Sequence, residues 1–235
     1  MLILALESAT IGVGVAVVNE HRVLGAKSKL SGRLSTETLH PLIESVMDGT
    51  GITMGALDAI AVDIGPGLFT GLRVGVTTAK TLAFALGIPL VGLTSTRSLL
   101  ARSSNESARS IAVIDMRRSE VLYASDDAPD SMSLLEPREC VEHLRSHPEL
   151  FGARVVGDGV FRYPEIFEEI IRAHGLVVGS EFERFVDAGV LGMLAIPELI
   201  AGAGVAAADL EPLYLREPDA KSNWSTRGAA NKALR

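Results

Sequence analysis

Leu2 to Leu6, Val13 to Val18 and Val23 to Leu30 are apolar or alternating runs, separated by Ser8-Ala9-Thr10 and by Asn19-Glu20-His21-Arg22. Short runs bounded by turn residues predict three strands, the last two a hairpin. Leu39, Leu42, Ile43, Val46 and Met47 then recur at helical spacing behind Ser35 and Thr36, either of which suits an N-cap. A first amphipathic helix is expected there, with Pro41 in its early turns, where a missing N–H matters least. Leu57 to Ile64 predicts a further strand; a glycine-rich stretch follows and enters a helix to about Leu86, stopped by Gly87 and Pro89, before Leu90 to Leu93 returns as a strand. This order implies a mixed sheet with helices against it.

A polar stretch, Arg102 to Ser107, reads as a linker. Beyond it, Ile111 to Asp115, Glu120 to Ser125 and Met132 to Leu135 predict strands, Cys140, Val141 and Leu144 mark a helix, Val155-Val156 a strand, and Tyr163 to His174 another helix. The β-β-β-α-β-α order recurs without a repeat at residue level. Two lobes of similar architecture are therefore expected, 1–103 and 104–235. Gly189 to Ala203 predicts one more helix, and the tail from Glu217, which carries Trp224, is polar and either mobile or docked on a partner.

With 235 residues, 47% hydrophobic, the chain can bury a substantial core. Its formal charge of -7 argues against holding nucleic acid on a broad basic surface, so any RNA is expected to be gripped by a partner. Cys140 is the only cysteine, which excludes an intrachain disulfide, and the apolar start is short, has no preceding Lys or Arg and ends at Glu7. A cytoplasmic protein is the expectation. Leu82 to Leu93, the longest apolar stretch, contains Gly87 and Pro89 and falls short of the roughly 18 residues a membrane span needs. A mean hydropathy of +0.29 fits a large core or a surface covered by a partner.

Gly65-Pro66-Gly67, leaving a strand and entering a helix, has the makings of an anion site, because helix N-termini favour negative charge. It fits neither G-x-G-x-x-G nor a Walker A loop, and a tight turn accounts for the same residues. Within the helix Gly71, Gly75, Thr78, Leu82 and Ala85 fall on one stripe, where small residues let another element approach closely. Two interior glycines cost roughly 1 kcal/mol each, so a packing reason is expected, internal or external. Glu7, Ser8 and Thr10 follow the first strand and could face a metal-bound phosphate or only form a turn. Arg117, in Asp115-Met116-Arg117-Arg118-Ser119-Glu120, is an anion or partner candidate beside the reading of a solvated hairpin turn. His143 and His147 have the spacing of a helical metal pair, but Pro148 follows at once and no Glu of a zinc peptidase is present, so a solvated helix end is expected. No signature of a catalytic Ser or Cys appears.

Four segments in one order resemble the TsaB family, also called YeaZ. Gly65-Pro66-Gly67-Leu68-Phe69-Thr70-Gly71-Leu72-Arg73-Val74-Gly75 is similar to the family's G-P-G-S-F-T-G-L-R-I-G, with Leu68 where serine is usual. Leu4 to Thr10 resembles an I-D-T-A/S-T opening, Ile114 to Val121 an I-D-A-R-x-G-E-V segment, and Glu211 to Arg216 an E-P-x-Y-L-R segment. The resemblance implies an actin-like ATPase (ribonuclease H-like) fold and a non-catalytic role beside the transferase TsaD in forming threonylcarbamoyladenosine on tRNA. It further implies docking on TsaD through the first two helices, with Leu39, Leu42, Ile43 and Val46 and with Gly71, Gly75, Thr78 and Leu82 as the surface. A TsaE-type ATPase is a further implied partner, a homodimer through the same surface is implied when TsaD is absent, and no cofactor is implied. Glu7 stands where the fold's aspartate is usual, and Ser35 where one histidine of TsaD's metal-binding helix is often kept, so that metal site is not expected. The competing expectation is an actin-fold nucleotide hydrolase or small-molecule kinase using Glu7, Thr10 and the Gly65 loop.

Overall fold

A computed structural model describes residues 1–30, 35–103 and 109–215. The first sheet contains β1 (Leu2–Glu7), β2 (Gly12–Asn19), β3 (Val23–Leu30), β4 (Ala59–Asp63) and β5 (Leu90–Leu93), in the order β3-β2-β1-β4-β5. β1 pairs antiparallel with β2, Leu4 opposite Val17, and parallel with β4, Leu4 opposite Ile60. The second sheet repeats the plan with β6 (Ser110–Asp115), β7 (Val121–Ser125), β8 (Ala128–Leu135), β9 (Arg154–Val156) and β10 (Val177–Val178), in the order β10-β9-β6-β7-β8. β6 is again antiparallel to its hairpin partner and parallel to β9. The expected duplication is thus present in the topology.

Both faces of the first sheet are covered, which is why β1 reads as an unbroken apolar run. Leu4, Leu6, Val15 and Val17 point to α1 (Ser35–Thr50) and α2 (Phe69–Leu86), whose Leu39, Ile43, Val46, Leu72, Val76 and Ala79 complete that core. Ile3, Ala5, Ala16, Val18 and Ala61 point the other way, to α7 (Ala188–Ile200), through Ala188, Leu191 and Ala195. That face is built of small residues because α7 lies close: a Cβ on Gly192 would meet Val18 at 2.9 Å and Ala5 at 3.1 Å.

α7 corrects the expected division. Residues 104–235 are not one lobe: the second sheet begins after 103, but α7 and the segment after it return to the first sheet, where Val205 pairs with Leu90. A helix at α3 (Ser95–Ser103) stands where the sequence reading left a plain connection, and its Leu99 and Leu100 pack on the second sheet. α4 (Pro137–Ser146) and α6 (Pro164–Ala173), the helix expected over Tyr163 to His174, cover the opposite face, and a one-turn α5 (Gly159–Arg162) precedes α6. Residues 104–107 of the Arg102–Ser107 linker, the side chains of Ser35 and Thr36, Arg216 and the Trp224 tail lie outside the described residues.

Candidate functional site

The Gly65-Pro66-Gly67 turn connects β4 to α2. Gly65 has φ +100°, which glycine alone adopts cheaply, and a Cβ on Gly67 would lie 2.1 Å from the Ala9 carbonyl oxygen. The turn therefore rests on the β1–β2 connection, and its polar groups are used there. Leu68 N–H donates to Ala9 O at 2.6 Å, Gly65 N–H to Asp63 Oδ1 at 2.7 Å, and Ser95 N–H to Gly65 O at 2.9 Å. A phosphate approaching the turn would find the Gly65 and Leu68 N–H groups already committed within the chain.

Beneath the turn lies a pair of buried acids. Glu7 Oε1 accepts the Thr10 N–H and hydroxyl, both at 2.9 Å, while the Ser95 hydroxyl lies 2.7 and 2.8 Å from the two Asp63 oxygens. Burial pushes the Glu7 carboxyl well above the usual range, and the Asp63 charge beside it pushes the same way. Asp63 is raised by burial too, but the Gly65 N–H and the Ser95 hydroxyl hold its ionised form. Glu7 is accordingly the proton carrier and Asp63 the carboxylate. Ser8, an expected phosphate contact, instead donates its hydroxyl to the Gly71 carbonyl at 2.8 Å.

The second sheet carries an equivalent pair at equivalent strand ends. Asp115 closes β6, and Asp158 follows β9 and accepts the Asp115 N–H at 2.9 Å. Burial pushes the Asp158 carboxyl up to about 6. Asp115 receives Arg117 Nη1 at 2.7 Å and the Tyr163 hydroxyl at 3.3 Å, with Arg162 Nε 3.9 Å away. Arg117, Arg118 and Ser119 all have positive φ, an unusual run for residues with side chains. Arg117 is thus tied to a carboxylate of its own turn.

The structure does not bring the sequence-predicted residues into one centre. Leu39, Ile43 and Val46 are buried in the first core, as are Gly71, Gly75 and Thr78 along α2, and a Cβ on Gly75 would meet Ser8 Oγ at 2.5 Å. The expectation that these side chains form an outward docking surface is corrected: the stripe faces its own chain because the end of β1 presses against it. Leu42 and Leu82 are half-buried beside that core. What α2 turns outward is Phe69, Thr70, Arg73, Thr77, Thr81 and Phe84.

His143 and His147 stack with ring centroids 4.1 Å apart, and His147 Nδ1 faces the His143 carbonyl; among the described residues no group of three or more His, Cys, Asp or Glu could hold a metal ion. A cavity of about 350 Å³ beside β2, β3 and the start of α7 contains none of the expected site residues. No helix among the described residues is long and apolar enough to cross a membrane. Asp63, Ser95, Asp158 and Tyr163 were not singled out from the sequence. A charge ending an apolar strand just before a glycine turn, as in Val62-Asp63-Ile64-Gly65 and Val156-Gly157-Asp158-Gly159, is the signal that marks the two acids.

The family model described as TsaD, tRNA N6-adenosine threonylcarbamoyltransferase, matches residues 21–133, which contain α1, α2 and the Gly65 turn. The tRNA threonylcarbamoyladenosine biosynthesis protein TsaB of Escherichia coli (strain K12) is 29% identical over 227 residues, covering 92% of this chain and 95% of that protein. TsaB of Bacillus subtilis (strain 168) is 26% identical over 236 residues, covering 95% and 98%. The solved structure of YeaZ from Pseudomonas aeruginosa superimposes with a TM-score of 0.74 at 26% identity, covering 91% of this chain and 99% of that one. Whole-length likeness in sequence and fold, with the four motifs in order, places the chain in the TsaB (YeaZ) family, with its actin-like fold of two mixed sheets flanked by helices.

Proposed function

We propose that this chain is an accessory subunit in the formation of threonylcarbamoyladenosine on tRNA. It docks on a TsaD-type transferase through α1 and α2 and carries no catalytic centre of its own. The observation that supports this reading is the contrast between the turn before α2 and the outer face of the helix. The Gly65 N–H, the Leu68 N–H and Glu7 Oε1 are engaged within the chain, whereas along the outer face large aromatic side chains stand in solvent. The docking surface is then the outward residues of the two helices, not the buried stripe. A TsaE-type ATPase as third member, self-association through the same face, contact with tRNA only through the partner, and a cytoplasmic site all follow from the same reading.

The test is reconstitution. The transferase of the same organism, tRNA and a threonylcarbamoyl donor are combined with and without this chain; modification should depend on it, and the two proteins should co-elute. If the isolated chain binds Mg-ATP tightly by calorimetry and Glu7→Ala abolishes the binding, the nucleotide-hydrolase reading replaces this one.

A further inference from the structure

After α7 the chain runs back along α2 as a strap. Val205 pairs with Leu90 beyond the end of α2, Lys80 Nζ donates to Leu210 O at 2.8 Å, and Leu213 N–H donates to Ile64 O at 2.7 Å near the start of the helix. The strap ends on an aromatic cluster. The Tyr214 ring lies 5.4 Å from that of Phe69, the Arg73 guanidinium sits 3.8 Å over the Phe69 ring, and Arg73 Nε donates to the Tyr214 oxygen at 3.1 Å. Despite these contacts Phe69 and Tyr214 are 44% and 38% exposed, and Phe84, about 22 Å further along the same helix, is 82% exposed.

We infer that the Phe69–Arg73–Tyr214 cluster anchors the transferase-type subunit, so that the seated strap, and not the helices alone, completes the docking face. This rests on the function proposed above. Arg and large aromatic residues dominate interface energetics, and here they are already held in place by one another, which lowers the ordering cost of binding. A cation stacked among exposed rings fits a partner surface that is apolar and presents a carboxylate opposite Arg73. The occupant follows from the transferase match over residues 21–133. It includes both helices but ends before the strap, so a related subunit offers a like pair of helices while Tyr214 lies outside the matched segment.

The transferase of the same organism is titrated against wild type, Tyr214→Ala, Tyr214→Phe and Arg73→Ala by biolayer interferometry, with circular dichroism and melting on each variant. Tyr214→Ala and Arg73→Ala should weaken binding roughly tenfold or more while melting as wild type does, and Tyr214→Phe, which keeps the ring but loses the bond to Arg73, should fall between. Phe182→Ala, exposed on the second lobe, should bind as wild type. Capture of wild type and Tyr214→Ala with equal affinity overturns the anchor and leaves the proposed function standing, whereas no capture of wild type removes both. Loss of self-association in light scattering with transferase binding intact would make the cluster a homodimer contact and also overturns it. If Tyr214→Ala fails to fold, unchanged affinity of Tyr214→Phe together with that of Arg73→Ala overturns it instead.

Discussion

Gly75→Ala is the substitution in which helix propensity and packing pull in opposite directions. Propensity alone predicts that alanine stabilises the interior of α2 by about 1 kcal/mol. The new Cβ, however, would sit 2.5 Å from Ser8 Oγ, the atom that donates to the Gly71 carbonyl at 2.8 Å. To make room the hydroxyl must turn away, which gives up a buried hydrogen bond worth on the order of 0.5–1.5 kcal/mol. Crowding atoms into a filled space adds about 1–3 kcal/mol. The net expectation is a destabilisation of about 0.5–3.5 kcal/mol, read as a lower urea midpoint. Ser8→Ala removes the obstructing oxygen, so the double variant should regain most of the loss, with a coupling of about 1–3 kcal/mol between the two sites. Transferase binding by Gly75→Ala should match wild type under conditions where both are folded, since the residue faces its own sheet. If Ser8→Ala shifts the midpoint equally in both backgrounds, α2 is not pressed against the end of β1 and the correction of the glycine stripe fails.

Arg154 and Glu183 form a two-pronged ion pair at 2.7 Å that fastens the segment after β10 to β9, and it holds the Glu183 carboxyl down at about 2, with hydrogen bonds from Ser180 assisting. Because the folded value is depressed, the contribution is present above the unfolded value near 4.5 and is lost as pH falls toward 2. Glu183→Gln, which removes one charge of the pair, should cost on the order of 1–3 kcal/mol at pH 7 and clearly less at pH 2.5, measured by urea denaturation at both. For Glu7 the sign is opposite. Its folded value is raised, so its contribution is complete below the unfolded value and is lost as pH rises through the folded one. Glu7→Gln, which cannot ionise, should therefore show a flatter fall of urea midpoint with rising pH than wild type, and parallel curves would show that Glu7 is not the proton carrier.

β1, β4 and β6 were legible because their two covered faces leave unbroken apolar runs, and the duplicated order could be counted off before any pairing was known, whereas the two-residue β10 is too short to leave a pattern. α3 escaped for the converse reason. Thr94-Ser95-Thr96-Arg97-Ser98 looks like a polar turn, yet Ser95, Thr96 and Ser98 are buried, with Ser95 spent on Asp63 and Thr94 on the Asp130 carboxylate at 2.7 Å. Hydroxyls that satisfy carboxylates far along the chain carry no local sign of it. The glycine stripe showed that something approaches α2 closely, but periodicity has no direction, and only the position of Ser8 decides it. The return of α7 to the first sheet was hidden likewise: an apolar helix fits either lobe until the small residues Ala5, Gly14 and Ala16 show which face has room.

The duplication also accounts for the two carboxyl pairs. Each sheet places one carboxyl at the end of its central strand and another at the end of the parallel neighbour: Glu7 with Asp63, and Asp115 with Asp158. In the first lobe the longer Glu7 side chain folds back onto Thr10, and the glycine turn closes over the pair. Charge there is suppressed by burial. In the second lobe the pair keeps its cations, but Arg117 and Tyr163 are turned onto Asp115 rather than outward. Both sites therefore spend most of their polar groups on holding turns in shape. The groups that stay exposed are of another kind, the rings of Phe69 and Tyr214 with the Arg73 guanidinium on α2 and the strap. On the function proposed above, it is these exposed rings, and not the four buried carboxyls, that meet the partner.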